Sequence, residues 1–428
     1  MSSMAHQFNP TQTAPTRPLP TRPVPTHVTR ENFDDMVRPY PFAVRTAIRF
    51  AMRLEHGRLD VHLPDGRALR FEGKPGPEAE MVVKDLGFAK RLANGGDIGI
   101  AEAYLRGEWE TPNLTHFLQV FCVNQPILQN MLDNNRLARL LQNIRHWLNR
   151  NTKRGSKRNI HAHYDLGNEF YSSWLDRSMT YSSALFSDGN KDLQRGQQRK
   201  YEALARDIGV QPGHHVLEIG CGWGGFAEYA AKDIGCRVTG LTISQEQHDF
   251  AKKRIFEAGL ADKVDIRMQD YRDERGSFDS IASIEMFEAV GEAYWPGYFA
   301  QLRDRLKPGG AAGLQVITID ESMWANYKRE IDFIRRYVFP GGMLPTPTIL
   351  RDMGARHGLS LRAERNFGLD YAETLVHWRG SFRAAWPKLT TLGFDERFRR
   401  MWEYYLAYCE AGFRAGTIDV RQIVFAKA

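Results

Sequence analysis

The sequence predicts an α/β protein whose larger part is a doubly wound parallel sheet, preceded by a small α+β domain. Three observations carry this expectation. Strand-like and helix-like segments alternate from about residue 195 to 320, a glycine-rich turn follows the first of those strands, and an isolated hairpin signal stands near residues 59–71.

The 428 residues leave room for two or three domains. Residues 1–32 read as a disordered tail, punctuated by Pro18, Pro20, Pro23 and Pro25 with few charges. Residues 33–135 read as the small domain. Leu59, Val61 and Leu63 alternate up to a Pro64-Asp65-Gly66 turn, and Leu69 and Phe71 resume the alternation. Helical spacing follows from Leu86 to Leu92, stops at Asn94-Gly95-Gly96, and resumes from Ile98 to Trp109. Residues 136–159 combine an amphipathic helix with a basic linker. Leu137, Leu140, Leu141, Ile144, Trp147 and Leu148 share one stripe, and Lys153, Arg154, Lys157 and Arg158 follow it. Such a stripe suits packing on a neighbouring domain or a membrane surface, and the two are compatible.

Residues 160–428 form the third unit. Its expected strands are 215–219, 237–241, 264–267, 278–284 and 312–317, with helices at 226–234, 245–258 and 294–306 between them. Segments 320–345 and 375–414 read as largely helical, and 418–425 as a final strand. No apolar run approaches the roughly 18 residues of a membrane span, and no secretory signal is evident. Cys122, Cys221, Cys236 and Cys409 are scattered, which suits a reduced cytoplasmic protein. The net charge of +7 suits a polyanionic partner, either anionic lipid or nucleic acid.

The first core strand runs into Glu218-Ile219-Gly220-Cys221-Gly222-Trp223-Gly224-Gly225. Glycines there let the backbone approach a ligand closely. A dinucleotide site would place an acid after the second strand, but that strand ends at Gly240-Leu241-Thr242. Glu218 instead stands ready for a cationic or amino-acid-like group. With Lys307-Pro308-Gly309-Gly310 before the fifth strand, the layout is that of a class I, Rossmann-like methyltransferase using S-adenosylmethionine. Gly220, Gly222 and Gly224 would cradle that molecule, Thr242 and Gln247 would lie by its ribose, and Asp270 and Tyr271 by its adenine.

Further motifs resemble one family. His163-Tyr164-Asp165-Leu166-Gly167-Asn168-Glu169-Phe170-Tyr171, Tyr181-Ser182, Glu285-Met286-Phe287-Glu288, Tyr337 to Pro345, Tyr371 to Leu375 and Gly412-Phe413-Arg414 look like cyclopropane-fatty-acyl-phospholipid and mycolic acid cyclopropane synthases. The resemblance covers about 160–428, with a looser match through 82–110. It implies a lipid-binding N-terminal domain, a peripheral place on the inner membrane surface, and methyl transfer to a cis double bond of a phospholipid acyl chain. It places Tyr181 and Ser182 at the cofactor. It also implies a bicarbonate base bound by a Cys, a Glu, a His, a Tyr and one backbone amide. Glu288 matches the Glu, Tyr371 the Tyr, and Ile317 the backbone position, whereas Ser183 replaces the Cys and Gln315 the His. Both replacements still donate hydrogen bonds, but the imidazole is gone. A methyl-branched alkene is therefore expected slightly ahead of a ring.

Phe287, Phe339, Tyr337 and Trp378 can face the cation or simply pack the core. Cys409 reads as a small buried hydrophobe, and His161 and His163 are too few ligands for a metal, so none is expected. The rival readings are a methyltransferase for RNA or a small molecule, and a non-catalytic lipid-binding relative. No RNA-module pattern accompanies the basic linker, so no nucleic-acid partner is expected; a homodimer stays open.

Overall fold

The computed structural model describes residues 23–125, 166–186 and 189–428. The expected 136–159 helix and linker, the first part of the tail, and His161 and His163 lie outside the described residues. Among those described, no helix is long and apolar enough to cross a membrane.

The N-terminal domain runs β1 (Thr26–His27), α1 (Phe33–Val37), α2 (Phe42–Ala51), β2 (His56–His62), β3 (Ala68–Glu72), β4 (Lys74–Val83), α3 (Gly87–Leu105), β5 (Trp109–Glu110) and α4 (Leu114–Val123). Its sheet is ordered β1-β3-β2-β4-β5. The predicted hairpin is present, with Leu59 opposite Phe71 and Val61 opposite Leu69. Alternation buries those four together with Met81 and Val83 and turns Arg58, Asp60 and Arg70 away from the core. β4 was not foreseen, because Pro75, Gly76 and Pro77 open it and its apolar alternation starts only at Ala79. The two predicted helices are one element, α3, broken at Gly96, whose φ of 55° and ψ of −130° suit glycine alone.

The catalytic domain continues with α5 (Gly167–Ser172), α6 (Leu193–Asp207), β6 (His215–Ile219), α7 (Gly225–Tyr229), β7 (Arg237–Thr242), α8 (Gln245–Glu257), β8 (Val264–Met268), β9 (Phe278–Ile284), α9 (Trp295–Arg305) and β10 (Leu306–Ile319). Then follow α10 (Trp324–Tyr327), α11 (Pro347–Arg356), β11 (Leu359–Asn366), α12 (Gly368–Thr391), α13 (Glu396–Ala415) and β12 (Ile418–Lys427). The sheet order is β11-β12-β10-β9-β6-β7-β8, and β12 runs antiparallel to both its neighbours. Each predicted core strand is present. β10 starts earlier than expected, because Leu306 pairs with Phe278 before the ladder shifts and resumes at Ala311.

One expectation fails. Segment 320–345 is not largely helical: it holds only short turns, α10 and one π-turn at Ile334–Val338, since Pro340, Gly341, Gly342 and Pro345 interrupt it. Segment 347–366 had no assignment and forms α11 and β11. β11 is an edge strand carrying Arg362, Glu364 and Arg365, so it shows no apolar run.

The connection order reverses between β7 and β9 on either side of β6, which places the ligand crevice at the carboxyl end of β6. Helix α4 packs on α13, joining the two domains, and Thr115 Oγ1 donates to the buried Glu410 at 2.8 Å across that seam. Asn124, fully buried after α4, ties this helix to the start of β2. Its Oδ1 accepts from Glu55 N and His56 N at 2.9 and 3.0 Å, and its Nδ2 donates to His56 O and Val120 O. Asn124→Ala strands these buried backbone groups and should cost about 2–3 kcal/mol. Urea unfolding of the N-terminal domain followed by hydrogen exchange should show that loss; an unchanged midpoint would exclude the tie as a stabilising element.

Candidate active site

A cavity of about 420 Å³ opens at this crevice, within the roughly 300–1,000 Å³ of ordinary ligand pockets. It runs from the glycine turn after β6, past the end of β9, to Asp97, Cys122 and Gln125 of the N-terminal domain.

At the glycine end, Gly220 and Gly222 take φ of 81° and 51°, and both line the cavity. A Cβ on Gly220 would strike the Met286 side chain at 2.6 Å, whereas one on Gly222 would enter open space. Glu218 is buried, and its Oε2 has no hydrogen-bond partner. Burial pushes its pKa well above the ordinary range, against the pull of the Ala227 amide, Arg254 and Lys200. An orphaned carboxylate oxygen on the wall of a glycine-lined cavity suits a ligand bearing an ammonium or hydroxyl group. Thr242 Oγ1 donates to Gln247 Oε1 at 3.1 Å, fixing which end of that amide remains for a ligand. These residues fit S-adenosylmethionine. Tyr271 lines the cavity with its ring edge-on to Tyr298.

Of the other expected cofactor residues, Asp270, Tyr181 and Ser182 line the cavity while also engaging protein partners, and Gly224 does not line it. Asp270 lines the cavity, but its carboxylate is already clamped by Arg272 at 2.8 and 2.6 Å. Gly224 caps α7 and lies against Ala251 of α8, so it serves packing; Gly225 lines the cavity in its place. Tyr181 pairs its hydroxyl with Tyr405 at 2.8 Å, and Ser182 Oγ accepts from Lys200 Nζ at 2.6 Å.

Past the end of β9, three of the expected anion ligands converge on a residue of the protein itself. Glu285 Oε1 accepts from Ser183 N at 2.8 Å and from Gln315 Nε2 at 2.8 Å, and its Oε2 accepts from Tyr371 Oη at 2.6 Å. Gln422 Nε2 donates to Gln315 Oε1 at 3.2 Å and so orients that amide. Ser183 Oγ turns away, donating to Ala184 O. Ser183 and Gln315 are fully buried and do not line the cavity; they hold Glu285, which does. Glu285 adopts a left-handed φ of 49°, which costs a side-chain-bearing residue about 1–2 kcal/mol. The sequence reading had quoted Glu285 within a motif and given it no role.

Glu288 is the second carboxylate. Its Oε1 accepts from Ile317 N at 2.6 Å, so the amide that the resemblance assigned to bicarbonate is engaged by Glu288, while Oε2 has no partner. Protein atoms enclose Glu288 although its carboxylate borders the cavity. Burial, with the negative charge of Glu285 beside it, pushes its pKa up to about 8. Burial leaves Glu285 above the usual carboxylate range as well, although the charge of Lys200 and the donors Tyr371, Gln315 and Ser183 N oppose that rise. The surroundings treat the two carboxyls differently: Glu285 has a cation and three donors favouring its ionised form, whereas Glu288 has one backbone amide and carries a proton near neutral pH.

Of the four aromatic candidates, only Phe339 lines the cavity. Phe287 and Trp378 are fully buried in the core, and Tyr337 donates to Glu102 at 2.6 Å. Tyr405, Tyr408 and Phe413 supply the aromatic wall that sequence reading missed, and Phe413 stacks on Tyr371 at 4.5 Å. Cys409 lies on the same wall, its thiol pushed up by burial and thus uncharged. Among the described residues no cluster suits a metal.

The signature of the family described as mycolic acid cyclopropane synthetase matches residues 151–423. The chain belongs to that family. The tuberculostearic acid methyltransferase of Mycobacterium tuberculosis is 38% identical over 397 residues, covering 88% of each chain. The cyclopropane-fatty-acyl-phospholipid synthase of Escherichia coli is 36% identical over 352 residues, 82% of this chain and 88% of that one. A mycolic acid cyclopropane synthase solved with SAH and CTAB superimposes with a TM-score of 0.60 at 28% identity, over 63% of this chain and 98% of that one. The protein is an S-adenosylmethionine-dependent methyltransferase of a lipid-modifying family.

Two predictions follow from this geometry. Gly222→Ala puts a methyl group into the cavity, so calorimetry should show affinity for S-adenosylhomocysteine down by at least about tenfold in a folded variant; unchanged affinity would remove the glycine turn from the binding site. The second concerns Glu288. Its folded pKa is raised from 4.5 to about 8, so the native state holds the extra proton and stability falls as pH rises through that window. Glu288→Gln should therefore gain on the parent by up to about 1.4 kcal/mol per pH unit between pH 5 and 8. Parallel denaturation curves at every pH would refute the raised pKa.

Proposed function

We propose that the protein methylates the cis double bond of an acyl chain in a membrane phospholipid and that Glu285 is the base that ends the reaction. The observation that carries this reading is the Glu285 carboxylate seated on Ser183 N, Gln315 and Tyr371. The resemblance assigned this ligand set to a bicarbonate ion, and here a tethered carboxylate uses it.

S-adenosylmethionine supplies an electrophilic methyl group. The alkene π pair forms the new carbon–carbon bond as the carbon–sulfur bond breaks, and the other alkene carbon becomes a cation. A neighbouring chain carbon then gives its proton to Glu285, and the C–H pair becomes a new double bond. The products are a methyl-branched alkene, the neutral thioether and a protonated Glu285. The Tyr405, Tyr408 and Phe413 faces offer the cation aromatic surface, and the buried wall excludes water that would trap it. Glu288, neutral near pH 7, adds no second charge to the base. The printed names of the two relatives, a tuberculostearic acid methyltransferase and a cyclopropane-fatty-acyl-phospholipid synthase, support an acyl acceptor. The net charge of +7 supports a cytoplasmic enzyme working on an anionic membrane surface.

The test is lipid mass spectrometry after expression, followed by hydrogenation. The expected product is one methylene heavier than its precursor and takes up hydrogen, with turnover indifferent to stripping bicarbonate from the buffer. Glu285→Gln should lower kcat by about 10²–10⁴-fold while leaving S-adenosylhomocysteine affinity little changed. A hydrogenation-resistant product with a saturable bicarbonate requirement would restore ring formation.

A further inference from the structure

Lys200 is fully buried on α6, yet no carboxylate of the described residues lies within ion-pairing distance of it. Its ammonium donates to Ser182 Oγ at 2.6 Å. A buried ammonium without a contacting counter-ion is costly unless charge elsewhere compensates it. The helix that carries Lys200 packs on β10, the strand of Gln315. Ser182, which it grips, precedes Ser183, whose amide binds Glu285. The Lys200 carbonyl also accepts from Gln422, which orients Gln315, a second ligand of Glu285.

We propose that Lys200 is a positioning residue for Glu285, whose ammonium supplies the positive charge that keeps the buried carboxylate ionised and ready to accept a proton. This rests on the reading of Glu285 as the base. The Ser183 amide, Gln315 and Tyr371 are neutral donors: they orient a carboxylate but bring no net charge. Lys200 is the cation whose field acts on Glu285. Burial lowers the Lys200 pKa to about 7, and Glu285, Asp176 and Glu218 raise it in that order, so the largest pull comes from Glu285. Glu288 and Tyr371 are the other titratable groups at Glu285; Glu288 repels its charge only once it is itself ionised, above about pH 8, and the Tyr371 hydroxyl favours the ionised form. When Glu285 takes the substrate proton, Lys200 loses its main counter-charge. The ammonium then drives Glu285 back to its ionised form for the next turnover.

The test compares Lys200→Gln, which keeps a donor for Ser182 and removes the charge, with the parent enzyme. The infrared carbonyl band of protonated Glu285, identified by its loss in Glu285→Gln, is titrated against pH in both. The expected result is a midpoint at least one pH unit higher in Lys200→Gln, a tenfold or larger shift, with the acid limb of kcat moving by the same amount. An unmoved midpoint overturns the proposal even if activity falls, since a purely structural lysine would change turnover or stability alone. The reciprocal measurement covers a misfolded Lys200→Gln. In Glu285→Gln, the ¹³Cε resonance of Lys200 in lysine-labelled protein should titrate at lower pH than in the parent, and an unshifted titration overturns the proposal. If Glu285→Gln retains full turnover, the base reading fails instead, whatever Lys200 does.

Discussion

A single buried carboxylate organises the catalytic end of this molecule. Glu285 lies just past β9, held in left-handed backbone geometry, with amide, carboxamide and phenol donors closing on it from three other segments. Those donors arrive from the loop at Ser183, from β10 at Gln315 and from α12 at Tyr371. The sheet, the loop before α6 and the long C-terminal helix must therefore all be in place before the carboxylate is satisfied. Since an unpaired buried charge is far more costly than a paired one, the site and the fold are coupled. The strain at Glu285 is tolerable because the surrounding contacts fix it in place.

The same arrangement explains why Glu285 and Glu288 have different surroundings although only two residues separate them in sequence. Glu285 has three donors and a buried cation behind it; Glu288 has one backbone amide and an oxygen with no partner. Two like charges confined in a poorly solvated cavity would repel strongly, so environment assigns the proton to the less supported member. A cation-forming reaction profits from that division. The better supported carboxyl faces the cavity, and the neighbouring one stays neutral near pH 7 without closing it.

The parallel strands, the glycine turn and the hairpin were legible because burial imposes regular patterns on them: short runs dominated by aliphatic and small residues in β6 and β9, and alternation in β2 and β3. Elements whose residues face solvent or interrupt the pattern were not, as with charged β11 and proline-led β4. Within the site, sequence pointed to the right segments and misjudged their direction. Ser183, Gln315 and Tyr371 were expected around a bicarbonate ion; in the structure they close on Glu285, Ser183 through its amide and not its side chain, and that depends on tertiary closure between residues 102, 30 and 86 positions apart in the chain. Lys200 gave no signal, since a lysine inside a charged helical stretch reads as solvated until its burial is known. Phe287 and Trp378 were legible only as aromatics able to face a cation or pack the core, and burial settles them as packing.

The N-terminal domain also belongs to this chemistry, because the cavity does not end within the methyltransferase sheet. Asp97, at the break of α3, and Cys122 and Gln125, around the end of α4, complete its far wall. The seam that positions them is polar and many-pointed. Arg336 and Tyr337 meet Glu102 at 3.0 and 2.6 Å, Arg400 donates to the Tyr104 carbonyl at 3.1 Å, and Glu410 is shared by Thr115, Arg379 and Arg414. A small domain that merely tethered the enzyme to a surface would need no such registration. Here a shift of the seam would move Asp97 and Cys122 relative to Tyr408 and Cys409, which face the same cavity from α13. The length and shape of the acceptor space are thus set jointly by both domains. The glycine turn and Glu285 fix one end of it, and the N-terminal domain fixes the other.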